Sequence, residues 1–179
     1  MKNFLNQYGL YVATAVIIAA IFIGKAWYQA PKFGNGADAP DFRAQDYDNK
    51  PFTLSSTRGN LVLLDFWGSW CGPCRQESPE LRELYKKYHG QAFDGARDFL
   101  IVSVGIERNK NAWGTAIAQD QLTWPYHVSS LKYFKDPVAE LYGVKSIPSK
   151  YLINENMQII AVNPTFGQLE ELLNSRLKK

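Results

Sequence analysis

The polar and apolar positions divide the chain into one long uncharged run followed by short segments of changing period. Residues 9–24 read GLYVATAVIIAAIFIG, and with Tyr8 they make 17 uncharged positions. As a helix that run spans about 26 Å, slightly less than the ~30 Å hydrocarbon core of a bilayer. Lys25 is placed to snorkel, and Trp27 and Tyr28 suit the interface beyond it. Tyr8 and Tyr11 suit the other end. A cleaved secretory signal has a similarly short apolar core. Here the Lys25-Ala26-Trp27-Tyr28 segment is bulky and charged where a small-x-small cleavage site would be needed, and no cysteine stands near residue 25 for lipid attachment. The pattern predicts an uncleaved single-span anchor over residues 1–28, with Tyr8 to Gly24 as its core.

Residues 29–39, rich in Gly, Pro and Ala, read as a linker. Two extended stretches follow, 41–46 and 52–54, separated by a Tyr-Asp-Asn-Lys-Pro turn that predicts a hairpin. The run 61–67 (LVLLDFW) is apolar except for one Asp, the pattern of a strand covered on both faces. Residues 74–88 predict a helix, because Leu81, Leu84, Tyr85 and Tyr88 recur at three and four; Pro79 is expected to kink it. A second covered strand is expected at 99–106, and a helix at 110–121. A short helix over 136–142 has Asp136 as cap, Pro137 at its first position and Gly143 as its stop. Strands at 151–153 and 158–162, joined by Asn-Glu-Asn, form a second hairpin, and an amphipathic helix closes the chain at 166–177. The expected fold is α/β: a central mixed sheet flanked by helices over residues 40–179, with an N-terminal hairpin extension and a single N-terminal transmembrane helix.

Composition narrows the function. Hydrophobic residues make up 46% and charged residues 21% of the 179, which excludes long-range disorder. Lys2, Lys25 and Lys32 are the only charged side chains in the first 32 residues, and they account for the whole net charge of +3. The remaining chain is neutral, so the pI of about 8.8 carries no nucleic-acid signal. The flanking lysines are balanced, so the positive-inside rule does not orient the span. With two cysteines in all, a disulfide-stapled scaffold and a four-cysteine zinc site are both excluded.

Those two are Cys71 and Cys74, in Trp70-Cys71-Gly72-Pro73-Cys74, directly after a covered strand and at the start of a helix. A thiol at a helix N-terminus meets unpaired N–H groups and the positive end of the dipole, which favour its thiolate. Two intervening residues bring the second sulfur within reach of the first, so the pair can close and reopen a disulfide. Gly72 leaves the approach to Cys71 open, and Pro73 suits a first turn that needs no N–H donor. Position makes Cys71 the exposed, reactive thiol and Cys74 the inner one. Three plainer readings compete. Half a zinc site shared with another chain fits the helix context poorly. An inert disulfide over so short a loop constrains little entropy. A lone reactive thiol leaves the second cysteine without a purpose.

Residues 65–74, Asp-Phe-Trp-Gly-Ser-Trp-Cys-Gly-Pro-Cys, resemble the active-site segment of thioredoxin, as do the Asp six residues before Cys71 and Pro79 eight after it. Ile147-Pro148 is similar to that family's Ile-Pro, whose peptide bond is cis. The N-terminal span, the Ala-Pro-Asp-Phe segment at 39–42, Trp124-Pro125 and the Tyr-Gly-Val…Ile-Pro-Ser segment narrow the resemblance to the membrane-anchored, TlpA/ResA-like thioredoxin-like proteins of bacteria, related to the AhpC/TSA group. The resemblance covers residues 38–177. It implies a catalytic pair, Cys71 and Cys74. Asp65 would be a buried carboxyl exchanging a proton with Cys74, and Trp70 an apolar docking rim. Ile147 and Pro148 would form a ledge for an extended substrate segment. No metal and no cofactor beyond the redox-active disulfide is expected.

The activity implied is that of a thiol-disulfide oxidoreductase working as a reductant on exported proteins, with apocytochrome c among them. It would sit in the bacterial cytoplasmic membrane with its domain in the periplasm, and take electrons from a membrane thiol carrier; secretion after signal cleavage is the alternative location. A peroxiredoxin is a second enzyme reading, but its Pro-x-x-x-Thr-x-x-Cys pattern meets Leu64 and Gly68 here. A tethered binding module with an incidental disulfide is the third. Several neighbours are ambiguous. Glu107 falls near the active-site face or in a solvated loop. Arg75, Gln76 and Glu77 read as a solvated first turn, Trp67 as core, and His89 and His127 as structural or surface residues.

Overall fold

The computed structural model describes the backbone of residues 2–178 and the side chains of 8–25, 27, 28 and 30–178. The chain divides into two compact units at residues 30/31. The first is one helix, α1 (Lys2–Gln29). Its window Tyr8–Lys25 has a mean hydropathy of 1.8, long and apolar enough to cross a membrane.

In the second unit the strands are β1 (Arg43–Gln45), β2 (Pro51–Thr53), β3 (Leu61–Trp67), β4 (Phe99–Gly105), β5 (Tyr126–Val128), β6 (Ser149–Ile153) and β7 (Ile159–Val162). The helices are α2 (Gly72–Tyr88), α3 (Lys110–Gln119), α4 (Pro137–Tyr142) and α5 (Phe166–Arg176). β1 and β2 pair with each other, and the other five form a sheet of order β5-β4-β3-β6-β7. β3 runs parallel to β4 and antiparallel to β6. The mixed, helix-flanked sheet is the expected one, with β5 added to it. Three residues that follow Pro125 are too short to show a period in sequence, and their pairing with β4 makes them a strand.

Every residue of β3 and β4 is buried, as continuous apolar runs in a covered parallel sheet must be. Alternation then sorts the side chains. Leu61, Leu63, Trp67, Phe99 and Ile101 join Leu81 and Leu84 of α2 and Leu169 and Leu173 of α5 in one core layer. Val62, Leu64, Phe66, Val102 and Val104 join Phe42, Phe52 and Tyr142 in the other. By this period-two rule Asp65 falls on the α2 side, in the layer that holds both cysteines.

The helix signals hold at the termini. Asp136 Oδ1 accepts from the Val138 and Ala139 amides, and Gly143 ends α4 with φ of 69°. Thr165 and Gln168 close a capping box on α5. The segment read as a linker is partly docked. Lys32 Nζ donates to Leu141 O (3.0 Å), Phe33 lies edge-on to Tyr142, and Gly36 N donates to Ile159 O (2.8 Å). Further on, Tyr47 N donates to His127 O. The arm thus supplies partners to β7 and β5, the two edge strands, and blunts edges that would otherwise template association.

Candidate active site

β3 ends at Trp67, and four residues later Cys71 caps α2. Its Sγ accepts from the Cys74 amide (3.2 Å), occupying one of the unpaired donors of the first turn. Cys71 and Cys74 are joined in a disulfide with Cα atoms 5.3 Å apart. Gly72 and Pro73 are exposed. The expectation that Cys71 is exposed and Cys74 buried does not hold for the disulfide form: the residues are 5% and 3% exposed. Cys71 belongs to the core layer that Ile147 also packs against. The Ile147–Pro148 bond is cis, as the resemblance implied, and Ile147 O lies 4.0 Å from Cys71 Sγ. That is a packing contact, because a disulfide sulfur has no proton to donate.

The approach to the disulfide is set by Gly68. A Cβ built there would lie 2.8 Å from the Trp70 indole nitrogen and 3.3 Å from Ile147 Cδ1. Only glycine lets the Trp70 ring and the Ile147 side chain close over the strand end. A threonine at this place, which the peroxiredoxin pattern requires, has no room. Trp70 is 48% exposed, yet fixed: its indole N–H donates to Ile106 O (2.7 Å).

Asp65 is buried, and burial pushes its carboxyl up to about 6; Lys150 opposes the rise and Glu77 adds to it. Both neighbours escaped sequence reasoning. Lys150 is 5% exposed and its ammonium is ion-paired with Glu77. Arg75 likewise is no solvated residue: its Nη2 donates to Asp120 Oδ1 (2.7 Å), its Nε makes a second bond to the same carboxylate, and Ser78 joins them. This bidentate clamp fixes the first turn of α2 to the end of α3. Gln76 is exposed, as expected. The reading of residues 75–77 as a solvated turn is therefore corrected for Arg75 and Glu77. Their partners lie 45 and 73 residues away, which no local pattern reveals.

Glu107 is also buried. It accepts from the Ser69 amide and from Ser69 Oγ (2.9 Å), and burial raises its carboxyl pKa while those bonds hold it down. It fixes the turn two residues before Cys71. Trp67 is core. His127 is buried with its Nε2 on Leu122 O, and His89 pairs with Asp98. No group of His, Cys, Asp and Glu suited to a metal occurs among the described residues.

The AhpC/TSA family profile matches residues 35–162, most of the chain. The protein belongs to the AhpC/TSA family. Within it the chain is TlpA/ResA-like, of the thioredoxin superfamily. It is 30% identical over 146 residues to "Thiol-disulfide oxidoreductase ResA" of Bacillus subtilis (strain 168), covering 82% of this chain and 73% of that one. It is 34% identical over 148 residues to the protein of the same name in Geobacillus kaustophilus, covering 78% and 76%. Among solved structures it is similar to the thioredoxin domain of a thiol-disulfide oxidoreductase from Bacteroides vulgatus, with a TM-score of 0.69 at 26% identity, covering 80% of this chain and 100% of that one. This AhpC/TSA-family chain is a thioredoxin-like thiol-disulfide oxidoreductase.

Proposed function

We propose that the protein reduces disulfides in exported proteins, with apocytochrome c as one substrate, through a Cys71/Cys74 dithiol-disulfide cycle. The observation that carries the reading is Cys71 Sγ as the cap of α2, beside the Ile147 carbonyl. In the reduced protein Cys71, as thiolate, attacks one sulfur of the partner's disulfide. The partner's other sulfur leaves as a thiolate, and a mixed disulfide forms. Cys74 then loses its proton and attacks Cys71 Sγ. The bond to the partner breaks, the second partner thiolate leaves, and two electrons have passed from the Cys71/Cys74 pair to the partner. Asp65 lies on the core face that holds Cys74, with a carboxyl whose raised pKa suits it to take that proton. The Gly-Pro interior, similar to that of thioredoxin, supports reduction over oxidation as the direction.

Helix α1 is the proposed anchor in the cytoplasmic membrane, and the domain faces the periplasm. There a membrane thiol carrier would return two electrons to the disulfide. Cys74→Ala halts the cycle at the mixed disulfide, so the trapped partner can be identified by mass spectrometry. Exported thiol proteins bound through Cys71 are expected; no covalent adduct, or adducts of cytoplasmic proteins only, would refute the reading. Protease added to spheroplasts should remove the domain, and a protected domain would overturn the orientation.

A further inference from the structure

Outside α1, Trp70 is the only large apolar side chain exposed among the described residues. It does not stand alone. Tyr133 lies 5.0 Å from it and Phe134 6.2 Å, ring centre to ring centre, and the two phenyl rings meet edge-on at 4.8 Å. Tyr133 holds a left-handed backbone, φ 57°, which is costly for a bulky aromatic residue. Its amide donates to Glu107 O (2.9 Å), which ties the turn to the end of the central sheet. The result is an aromatic shelf anchored at Trp70 and Tyr133 and built on the residue before Cys71.

Cations accompany the shelf. The Arg108 guanidinium lies 4.2 Å over the Tyr133 ring, and Lys132 and Lys135, which bracket the Tyr133-Phe134 pair in the chain, are exposed, as is Arg108. The acids of the surrounding chain, residues 106–149, are almost all engaged inside the protein. Glu107 holds Ser69, Asp120 holds Arg75, and Asp136 caps α4 and accepts from Ser130. Glu140, on α4, is the one exposed acid of that stretch. Aromatic anchors flanked by like charges are the composition of a docking surface with a charge preference.

We infer that Trp70, Tyr133 and Phe134, flanked by Arg108, Lys132 and Lys135, dock a partner protein segment that carries its disulfide among acidic side chains. The inference rests on the oxidoreductase reading and adds a substrate class to it. The aromatic faces bury the apolar residues beside the partner's cysteines. The cations attract its carboxylates and repel a basic segment, which would present like charges to them.

Three synthetic peptides test this, each with one disulfide flanked by Glu, by Ser or by Lys. The probe reaction is their reduction by the reduced full chain in detergent. At low salt the Glu peptide should show a kcat/KM about tenfold above the Ser peptide, with the Lys peptide lowest. The spread should collapse as ionic strength rises from ~0.01 to ~1 M, where the screening length shrinks from ~30 to ~3 Å. The combined change Arg108→Gln, Lys132→Gln and Lys135→Gln should bring the Glu-to-Ser ratio close to one. Equal rates for the three peptides, or a preference that survives both salt and substitution, would overturn the acidic-partner inference and leave the oxidoreductase reading intact. Reduction of none of the peptides would sink both.

Discussion

Asp65 on β3 stands directly opposite Lys150 on β6 in the antiparallel register. Lys150 in turn is ion-paired with Glu77, one turn past Cys74 on α2. One buried cation thus faces two carboxylates, one of them a turn past the inner half of the redox pair. Burial alone would drive Asp65 strongly toward its neutral form; the Lys150 charge is what keeps its carboxyl at about 6. The Asp65 charge is thereby poised to change near neutral pH, where a proton acceptor for Cys74 is useful.

Replacing the cation tests that balance. In Lys150→Gln, Glu77 loses its partner while still partly buried, and Asp65 loses the only charge that favours its ionised form. The variant should be destabilised at neutral pH by about 2 kcal/mol, less than for a fully buried pair because Glu77 reaches water. The Asp65 titration should move upward. Difference infrared spectra of the carboxyl band against pH would report it, and an unmoved titration would show that Lys150 does not set it.

Asp65→Asn makes a distinct prediction for stability. The carboxyl titrates at about 6 in the folded chain and near 3.9 when unfolded. The folded state therefore favours the protonated form. Stability from this group is greatest below pH ~4, falls as the pH rises through ~4 to ~6, and is flat above. The loss amounts to as much as ~3 kcal/mol. Asn carries no such penalty, so the variant should gain stability above pH 6 relative to the parent and lose this slope. In single-turnover kinetics it should slow resolution of the mixed disulfide and leave its formation less affected. Unchanged resolution across neutral pH would make Asp65 structural.

The residues of this cluster were unequally legible. Asp65 announces itself, because one acid among Leu, Leu, Phe and Trp in a covered strand must be buried. The cysteine pair and its cap follow from local rules in the same way, since a strand end, a short turn and a helix start are all written within ten residues. Lys150 looks like a surface residue in front of Tyr151, and the strand accordingly reads as starting at 151, two positions after β6 begins at Ser149. Its burial depends on Glu77, far off in the chain, and on a sheet register that no periodicity encodes. Glu107 was ambiguous for the same reason: its partner is the Ser69 amide, a backbone group invisible to side-chain pattern. β5 is held by pairing with β4, so its three residues show no period of their own.

His127 gives the acid limb of stability. It is buried and stacked on Trp124, and burial lowers its pKa to about 4 from an ordinary 6.5. The unfolded chain takes up a proton near pH 6.5 while the folded chain resists it. Stability from this residue is complete above pH ~6.5 and is lost as the pH falls toward ~4, by up to ~3 kcal/mol. His127→Gln retains a donor for Leu122 O but does not titrate. Urea denaturation of the variant should show a shallower loss of stability between pH 6.5 and 4, and an acid limb as steep as the parent's would assign the slope to other groups.

Labelling of the reduced protein distinguishes the two thiols. Both residues are shielded to a similar degree in the disulfide form, so the expected difference rests on chemistry rather than on exposure. Cys71 Sγ receives the Cys74 N–H at the head of α2, an arrangement that favours a negative sulfur. Cys74 lies one turn inside, on the core face that also carries Asp65. An apolar site and a neighbouring carboxylate both oppose a thiolate there. Each unit of separation between the two thiol pKa values is worth about 1.4 kcal/mol. Alkylation at pH 7 should therefore modify Cys71 at least ~10-fold faster than Cys74. The single-cysteine variants Cys74→Ser and Cys71→Ser give the two rates separately, each followed against pH. Cys71 should reach half its limiting rate at the lower pH. Equal profiles, or faster labelling of Cys74, would reverse the roles of nucleophile and resolving thiol, and Asp65 would then lie beside the wrong sulfur for the proton it is expected to take.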